Sequence, residues 1–286
     1  MNAAIIPNFT RERTLAVVQK LCARLEELGI GFAFDSSVAE NCRNIKNAVF
    51  RDTNELLSGA DLIIAVGGDG SVIRAAKAAA EFGKKLIGIN AGRLAYLCEL
   101  DEDELHLLKA LADGSYTIKK RMLLEAEHYK DGELLFRDIC VNDIVFARGH
   151  EIKLTDLSVK ADSRLIGDYI ADGLIIATPT GSTAYSMSAG GPIAEPSLEA
   201  LVLTPICPHS LVCRPFIFGA STELEISGKL REGVSDVYFS CDGAPSRELL
   251  PDSFVRVRRA DSAVSFISIK PDNFIDVLNK KLEIKK

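Results

Sequence analysis

An α/β domain followed by a β-rich domain is what this sequence predicts, and three observations carry the prediction. Up to about residue 115, short apolar runs alternate with segments of helical spacing, as in "DLIIAV" followed by "VIRAAKAAAEFG". From about Tyr116 the pattern changes to apolar and β-branched runs separated by short polar turns. At the end, "NFIDVLNKKLEI" returns to helical spacing. The expected organisation is an N-terminal α/β domain over 1–115, a β-rich domain over 116–271, and a C-terminal helix over 272–286 returning to the first domain. A βαβ series of this kind favours a Rossmann-like parallel sheet, with ligands beyond the carboxyl ends of its strands.

Each element has its own reason. "NAAIIPN" is an apolar strand, after which Thr10 is placed to cap a helix. That helix carries Leu15, Val18, Leu21, Cys22, Leu25 and Leu28 at three- and four-residue steps and stops at Gly29. "IGFAFD" is the second strand, and Asp52 with Glu55 has capping-box spacing before a short helix. "DLIIAV", a glycine turn, a helix from about Val72 and the strand "KLIGIN" follow. Asp101 with Glu104 opens one more helix, which closes near Gly114. In the β-rich part Asp131 and Gly132 suit a two-residue hairpin loop. Strands are expected at "LTDLSVKA", "RLIGDYIADGLIIAT", "FIFGASTELEIS", "VYFSC" and "SFVRVRRA".

Composition narrows the classes of function. With 47% hydrophobic and 26% charged residues the chain reads as a globular protein. A net charge of -6 argues against a general grip on nucleic acid, though a local basic patch can still hold a phosphorylated small molecule. No apolar run approaches the roughly 20 residues that span a bilayer. The first residues lack the basic head and apolar body of a signal peptide, so a cytoplasmic location without membrane contact is expected. Seven scattered cysteines form no CxxC pair, and "CPHSLVC" fits no usual zinc spacing. Buried, reduced thiols are the expectation, and four histidines make a histidine-ligated metal site a poor reading.

Two stretches ask for chemistry. In "AVGGDGSV" Gly67, Gly68 and Gly70 are expected to free the backbone, bring N–H groups close to a ligand and, with Ser71 at a helix start, hold phosphate. The turn is neither a Walker pattern nor GxGxxG. Asp69 is the anomaly, because a carboxylate repels phosphate unless a metal lies between them or it accepts a hydrogen bond from an attacking hydroxyl. The bland alternative is an Asp-Gly pair filling a turn. In "DGLIIATPTGSTAYSMSAGGP", Thr178, Thr180, Ser182, Thr183, Ser186 and Ser188 are expected to present hydroxyls to a ligand beside Pro179 and Gly181. The stretch never reads GxSxG and has no histidine partner, which disfavours a serine hydrolase.

"GGDGS" at 67–71, "VNDIVFARG" at 141–149, "DGLIIATPTGSTAYSMSAGGPI" at 172–193, "LTPICPHSL" at 203–211 and "CDGA" at 241–244 together resemble the NAD kinases in order and spacing. The glycine turn alone is shared with phosphofructokinases and with diacylglycerol and sphingosine kinases; the TPTGSTAYS segment is specific. The resemblance implies transfer of the γ-phosphate of ATP, or another donor, to the 2′-hydroxyl of the adenosine ribose of NAD. It also implies a divalent metal such as Mg2+ and a homodimer or homotetramer. It gives Asp69 the role of general base and Gly70 a place in the dinucleotide site. Asn142, Asp143 and Asp172 become dinucleotide contacts, and Thr183, Ala184, Tyr185, Ser186, Met187 and Ser188 the lining of adenine and ribose. Arg74 and Lys153 fall where basic residues are common; a solvated helix face and a strand edge are their plain alternatives. Three positions depart from the family: Ser71 replaces threonine, Ala95 replaces glycine, and Ala244 replaces a glutamine of the dinucleotide site. A lipid or sugar-phosphate kinase and a non-catalytic dinucleotide sensor are the rival readings.

Overall fold

The apolar runs of the first third form β1 (Asn2–Pro7), β2 (Gly31–Asp35), β3 (Val49–Arg51), β4 (Leu62–Gly67) and β5 (Lys85–Asn90). The computed structural model describes residues 1–92, 95–149, 154–210, 213–229, 237–271 and 274–283. In it these strands stand in the order β3-β2-β1-β4-β5, every pair parallel. Ser265 and Phe266 of the long strand Ser253–Ser268 add a sixth parallel place beside Lys85 and Leu86. The order reverses direction between β1 and β4, the kind of switch point at which open α/β sheets bind ligands. All six residues of β4 are buried, as a central strand covered on both faces requires.

Two helices show why the flanking sequence folds as it does. Thr14–Glu27 buries Val17, Val18, Leu21, Cys22 and Leu25, and Gly29 follows at φ +67. The expected start at Thr10 is corrected: the Thr10 hydroxyl donates to Asn8 Oδ1 at 2.7 Å, and Arg13 stands at the cap without a side-chain bond. The apolar stripe accordingly includes Val17 and leaves Leu15 exposed. Asp69–Glu81 buries Val72, Ala75, Ala76 and Ala79, small residues that let it lie close to β5; a Cβ on Gly88 would come 2.8 Å from Val72 Cγ2. Asp52 accepts from the Glu55 amide, and the reciprocal Asp101–Glu104 box forms. The helix after Asp101 begins as a 3-10 stretch, Glu102–Leu108, before Lys109–Asp113 and Gly114 at φ +70.

The chain divides into one unit of Met1–Lys120 with Val264–Lys286 and another of Arg121–Ala263. The expected bounds at 115/116 and 271/272 fall elsewhere because the changes lie inside strands, where no turn marks them. Residues Thr117–Lys130 and Ser253–Ser268 each serve both units. The terminal helix, Phe274–Glu283, belongs to the first unit and buries Leu278.

The second unit is antiparallel wherever its strand pairs are defined, with the strands β6 (Thr117–Lys130), β7 (Glu133–Cys140), β8 (Asp143–Arg148), β9 (Thr155–Ala161), β10 (Arg164–Ala171), β11 (Gly173–Ala177), β12 (Ala200–Ile206), β13 (Phe216–Gly219), β14 (Leu224–Gly228), β15 (Val237–Cys241), β16 (Arg247–Glu248) and β17 (Ser253–Ser268). One sheet runs β13-β12-β11-β8-β15-β16; the other runs β10-β9-β14-β17, with β6 beside β17 and β7 beside β6. Leu124, Phe146, Leu157, Leu174, Leu203, Phe239 and Val257 share its core. Asp131 and Gly132, at φ 51 and 82, turn β6 into β7 as expected. The run "RLIGDYIADGLIIAT" is two strands in different sheets. Its break at Asp172 is invisible to periodicity, because Gly173 is chosen by contact: a Cβ there would meet Phe146 O at 2.1 Å. "FIFGASTELEIS" likewise splits into β13 and β14.

All seven cysteines are free. Cys22, Cys42, Cys140 and Cys241 are buried, whereas Cys98 and Cys213 are half-buried and Cys207 is exposed, which corrects the expectation that all are interior. Among the described residues no helix is long and apolar enough to cross a membrane.

Candidate active site

The glycine turn lies at the carboxyl end of β4 and is the first turn of the helix Asp69–Glu81, which begins three residues earlier than its apolar spacing implies. Gly68 caps it, its carbonyl accepting from Ser71 N at 2.8 Å and Val72 N at 3.2 Å. None of Gly67, Gly68 and Gly70 has a positive φ, so the expectation of unusual dihedrals is corrected: what the turn needs is room. A Cβ on Gly67 would lie 2.2 Å from Ser71 Oγ, and one on Gly68 would lie 3.0 Å from the Arg11 guanidinium. Ser71 is buried and its hydroxyl accepts from Asn8 Nδ2 at 3.0 Å, which ties the end of β1 to the turn.

Asp69 stands at the first helical position, where the helix dipole favours its charge. Its Oδ1 accepts from the amides of Tyr96 and Leu97 at 2.8 and 2.9 Å, so the carboxylate has a set direction. A cleft of about 610 Å³ opens here, lined by Arg11, Glu12, Arg13, Gly68, Asp69, Gly70, Ala91 and Gly92. These residues follow the ends of three adjacent strands, β1, β4 and β5. Arg11 reaches across it: a Cβ on Gly92 would lie 1.9 Å from Arg11 Nη1. Sequence reading missed Arg11, although a cation in the loop after β1 is adjacent once the β1–β4 pairing is known. Exposed Arg74 lies on the other side, in a second cleft of about 330 Å³ with Asn8, Asn41 and Ser71. An acidic side chain at a helix start, with the Arg11 guanidinium against the same turn, suits a phosphate-bearing ligand that also carries a hydroxyl.

The second unit builds another polar cluster around residues 141–143, just before β8. All six backbone polar groups of this segment have partners. Val141 N donates to Asp242 Oδ2, and Asn142 N and Asp143 N donate to Asp242 Oδ1, at 2.8, 2.7 and 3.1 Å. Val141 O accepts from Thr178 Oγ1, Asn142 O from Thr178 N and Asp143 O from Asp242 N. Gly181 closes the arrangement from the TPTG turn, where a Cβ would meet Asn142 O at 2.0 Å. With the backbone satisfied, the half-buried Asn142 and buried Asp143 side chains are the polar groups of this segment left to be accounted for.

Several hydroxyls of the TPTGSTAYS segment serve the fold instead, which corrects the expectation that all six line a ligand. The Ser182 hydroxyl donates to Pro179 O and accepts from Ala194 N; Ser186 shares a 2.9 Å bond with Thr204; Thr178 holds Val141. They are buried at a strand end, where unpaired backbone carbonyls need donors. Thr183, Ala184 and Met187 are half-buried, while Ser188, Ala244 and Tyr185 are exposed, the tyrosine ring by 47%. Asp172 pairs with Arg148 at 3.4 Å. Lys153 lies outside the described residues.

Burial, and secondarily the neighbouring Asp242, pushes the Asp143 carboxyl from 3.8 up to about 7. Because the folded value is the higher one, the fold binds a proton that the unfolded chain has released. This stabilisation is complete below the unfolded value and is lost as pH rises through 7. Asp143→Asn, which cannot ionise, is expected to lose less stability than the parent between pH 5 and pH 8, by at most about 3 kcal/mol. Denaturant unfolding at the two pH values checks this, and equal pH dependence would refute it.

Comparison with known proteins gives the family. Residues 4–116 match the family described as ATP-NAD kinase N-terminal domain, and residues 141–269 match ATP-NAD kinase C-terminal domain. A NAD kinase of Caldanaerobacter subterraneus is 33% identical over 97% of both chains. One of Chlorobium luteolum is 36% identical over 99% of this chain and 96% of its own. Among solved structures, yeast NADH kinase complexed with NADH superposes with a TM-score of 0.89 at 27% identity, covering 99% of this chain and 87% of the yeast chain. An NAD kinase from Archaeoglobus fulgidus shares the fold, with a TM-score of 0.73 at 22% identity over 99% of each chain. With both domain matches and relatives aligned along nearly its whole length, this chain belongs to the ATP-NAD kinase family.

Proposed function

We propose that this chain transfers the γ-phosphate of ATP to the 2′-hydroxyl of the adenosine ribose of NAD, releasing ADP and NADP. The observation that carries this reading is the single carboxylate, Asp69, held by two amides inside a phosphate-type turn at the strand-order reversal. In this role Asp69 accepts the hydrogen bond of the attacking hydroxyl and takes up its proton as the new P–O bond forms and the donor's P–O bond breaks. A loose transition state gives little drive for early proton loss, so orientation is the larger part of the role. Gly67, Gly68 and Gly70 allow phosphate to approach the backbone, and Arg11 and Arg74 supply positive charge beside it.

Asn142 and Asp143, with Thr183, Ala184, Tyr185, Met187 and Ser188 as lining, hold the adenosine end of NAD in this reading, while Ser186 supports them from inside the fold. Among the described residues no group of three His, Cys, Asp or Glu side chains could hold a metal. Mg2+ commonly fills most of its shell with water and substrate phosphates, so an ion here would be held on the donor's phosphates, with Asp69 left to the acceptor hydroxyl. Such an ion would neutralise charge on the transferred group. Location in the cytoplasm and assembly as a homodimer or homotetramer belong to the same proposal. The kinase relatives favour it over a lipid kinase or a silent sensor. With NADP formation followed by a coupled dehydrogenase, Asp143→Ala is expected to raise KM for NAD at least about tenfold, the loss of roughly 1.4 kcal/mol of binding, and KM for ATP much less. The opposite split would assign Asn142 and Asp143 to the donor.

A further inference from the structure

Asp242 is the one side chain that collects every amide of residues 141–143. Its two oxygens accept three N–H groups at 2.7–3.1 Å, and its own amide returns a bond of 2.9 Å to Asp143 O. It can do so because it lies one residue beyond β15, whose Cys241 is opposite Ile144 of β8, and because it takes a left-handed backbone, φ +51, with Gly243 following at φ +70. Two successive left-handed residues turn the chain so that a short carboxylate reaches across to the start of the neighbouring strand β8. The partners sit in a partly buried site, where amides converging on one ionised acceptor form strong bonds and leave a large penalty if that acceptor is lost.

We infer that Asp242 is a positioning residue of the segment proposed to hold the dinucleotide: it sets the backbone of 141–143 and thereby the directions of the Asn142 and Asp143 side chains, without touching substrate itself. The inference rests on Asn142 and Asp143 serving the dinucleotide. A side chain that merely held β8 and β15 together would affect stability and leave the two substrates' constants in proportion. A positioning residue acts on one substrate.

The test uses Asp242→Asn, which keeps size and one acceptor, and Asp242→Glu, which keeps the charge at a longer reach. With unfolding midpoints as the fold check, Asp242→Asn is expected to raise KM for NAD tenfold or more while kcat and KM for ATP stay within threefold. Hydrogen exchange at the amides of 141–143 is expected to accelerate, with β11 still protected. Asp242→Glu, its carboxylate displaced, is expected to show the same split. Should either variant fail to fold, the other and the exchange measurement still decide. Unchanged constants for both substrates in a folded Asp242→Asn protein overturn the inference whatever Asp143→Ala does. If Asp143→Ala instead moves KM for ATP and Asp242→Asn moves the same constant, the assignment to the dinucleotide fails while the positioning role stands.

Discussion

Asp69→Asn is expected to retain NAD binding while lowering NADP formation by about 10²- to 10⁴-fold, the range of a positioned acid–base group. The substitution separates chemistry from structure because of how the carboxylate is held. Oδ1 accepts from Tyr96 and Leu97, and an amide oxygen in its place can accept both bonds. The other oxygen becomes an NH2 group, which donates and cannot accept from a hydroxyl. The turn itself depends on Gly68 O, Ser71 and Asn8, none of which changes. Thermal unfolding close to that of the parent, an unaltered dissociation constant for NAD by calorimetry and a collapsed kcat form the expected set. An Asp69→Asn enzyme turning over near the parental rate would remove Asp69 from the reaction and leave it as a helix-start residue.

Gly181→Ala is expected to be the most damaging single methyl group in the second unit. The added carbon would lie 2.0 Å from Asn142 O, 2.5 Å from its carbonyl carbon and 2.7 Å from its Cα, and all three are backbone atoms that no rotamer change can move. Either the TPTG turn or residues 141–143 must shift, and both carry bonds that depend on present spacing: Gly181 N to Thr178 Oγ1 at 2.9 Å, and Thr178 to Val141 O and Asn142 O. Overpacking of this kind costs about 1–3 kcal/mol, and disrupted buried hydrogen bonds add to it. The expected result is a lowered unfolding midpoint together with a KM for NAD raised more than tenfold. A Gly181→Ala protein with parental stability and KM would show that 141–143 tolerates displacement, and would weaken the whole account of the cluster around 141–143.

Much of the fold was legible where local physics and tertiary contacts agree. The alternation up to residue 115 did become a parallel sheet with helices, and Gly29, Gly83 and Gly114 do take the left-handed conformation that ends a helix. The box at Asp101 forms in full and Asp52 caps its helix through the Glu55 amide, because capping is settled within one turn of chain. Reading failed where burial was decided at a distance. Leu15 fits the spacing and is exposed, and the break between β10 and β11 follows from the contact of Gly173 with Phe146. Ser186 resembles a ligand hydroxyl but bonds Thr204, 18 residues later in the chain.

Residue types and their order were enough to narrow the class of chemistry. A lone acid among glycines pointed to phosphoryl transfer, and the resemblance of the TPTGSTAYS stretch and its companions to the NAD kinases added the dinucleotide acceptor. Tertiary structure alone decided which groups act together. Arg11 reaches the glycine turn because β1 and β4 are neighbours, and Asp242 grips 141–143 because β15 pairs with β8. Residues about 58 and 100 positions apart meet through strand pairing, and pairing is settled by cooperative burial of whole sheets, to which no local stretch of sequence has access.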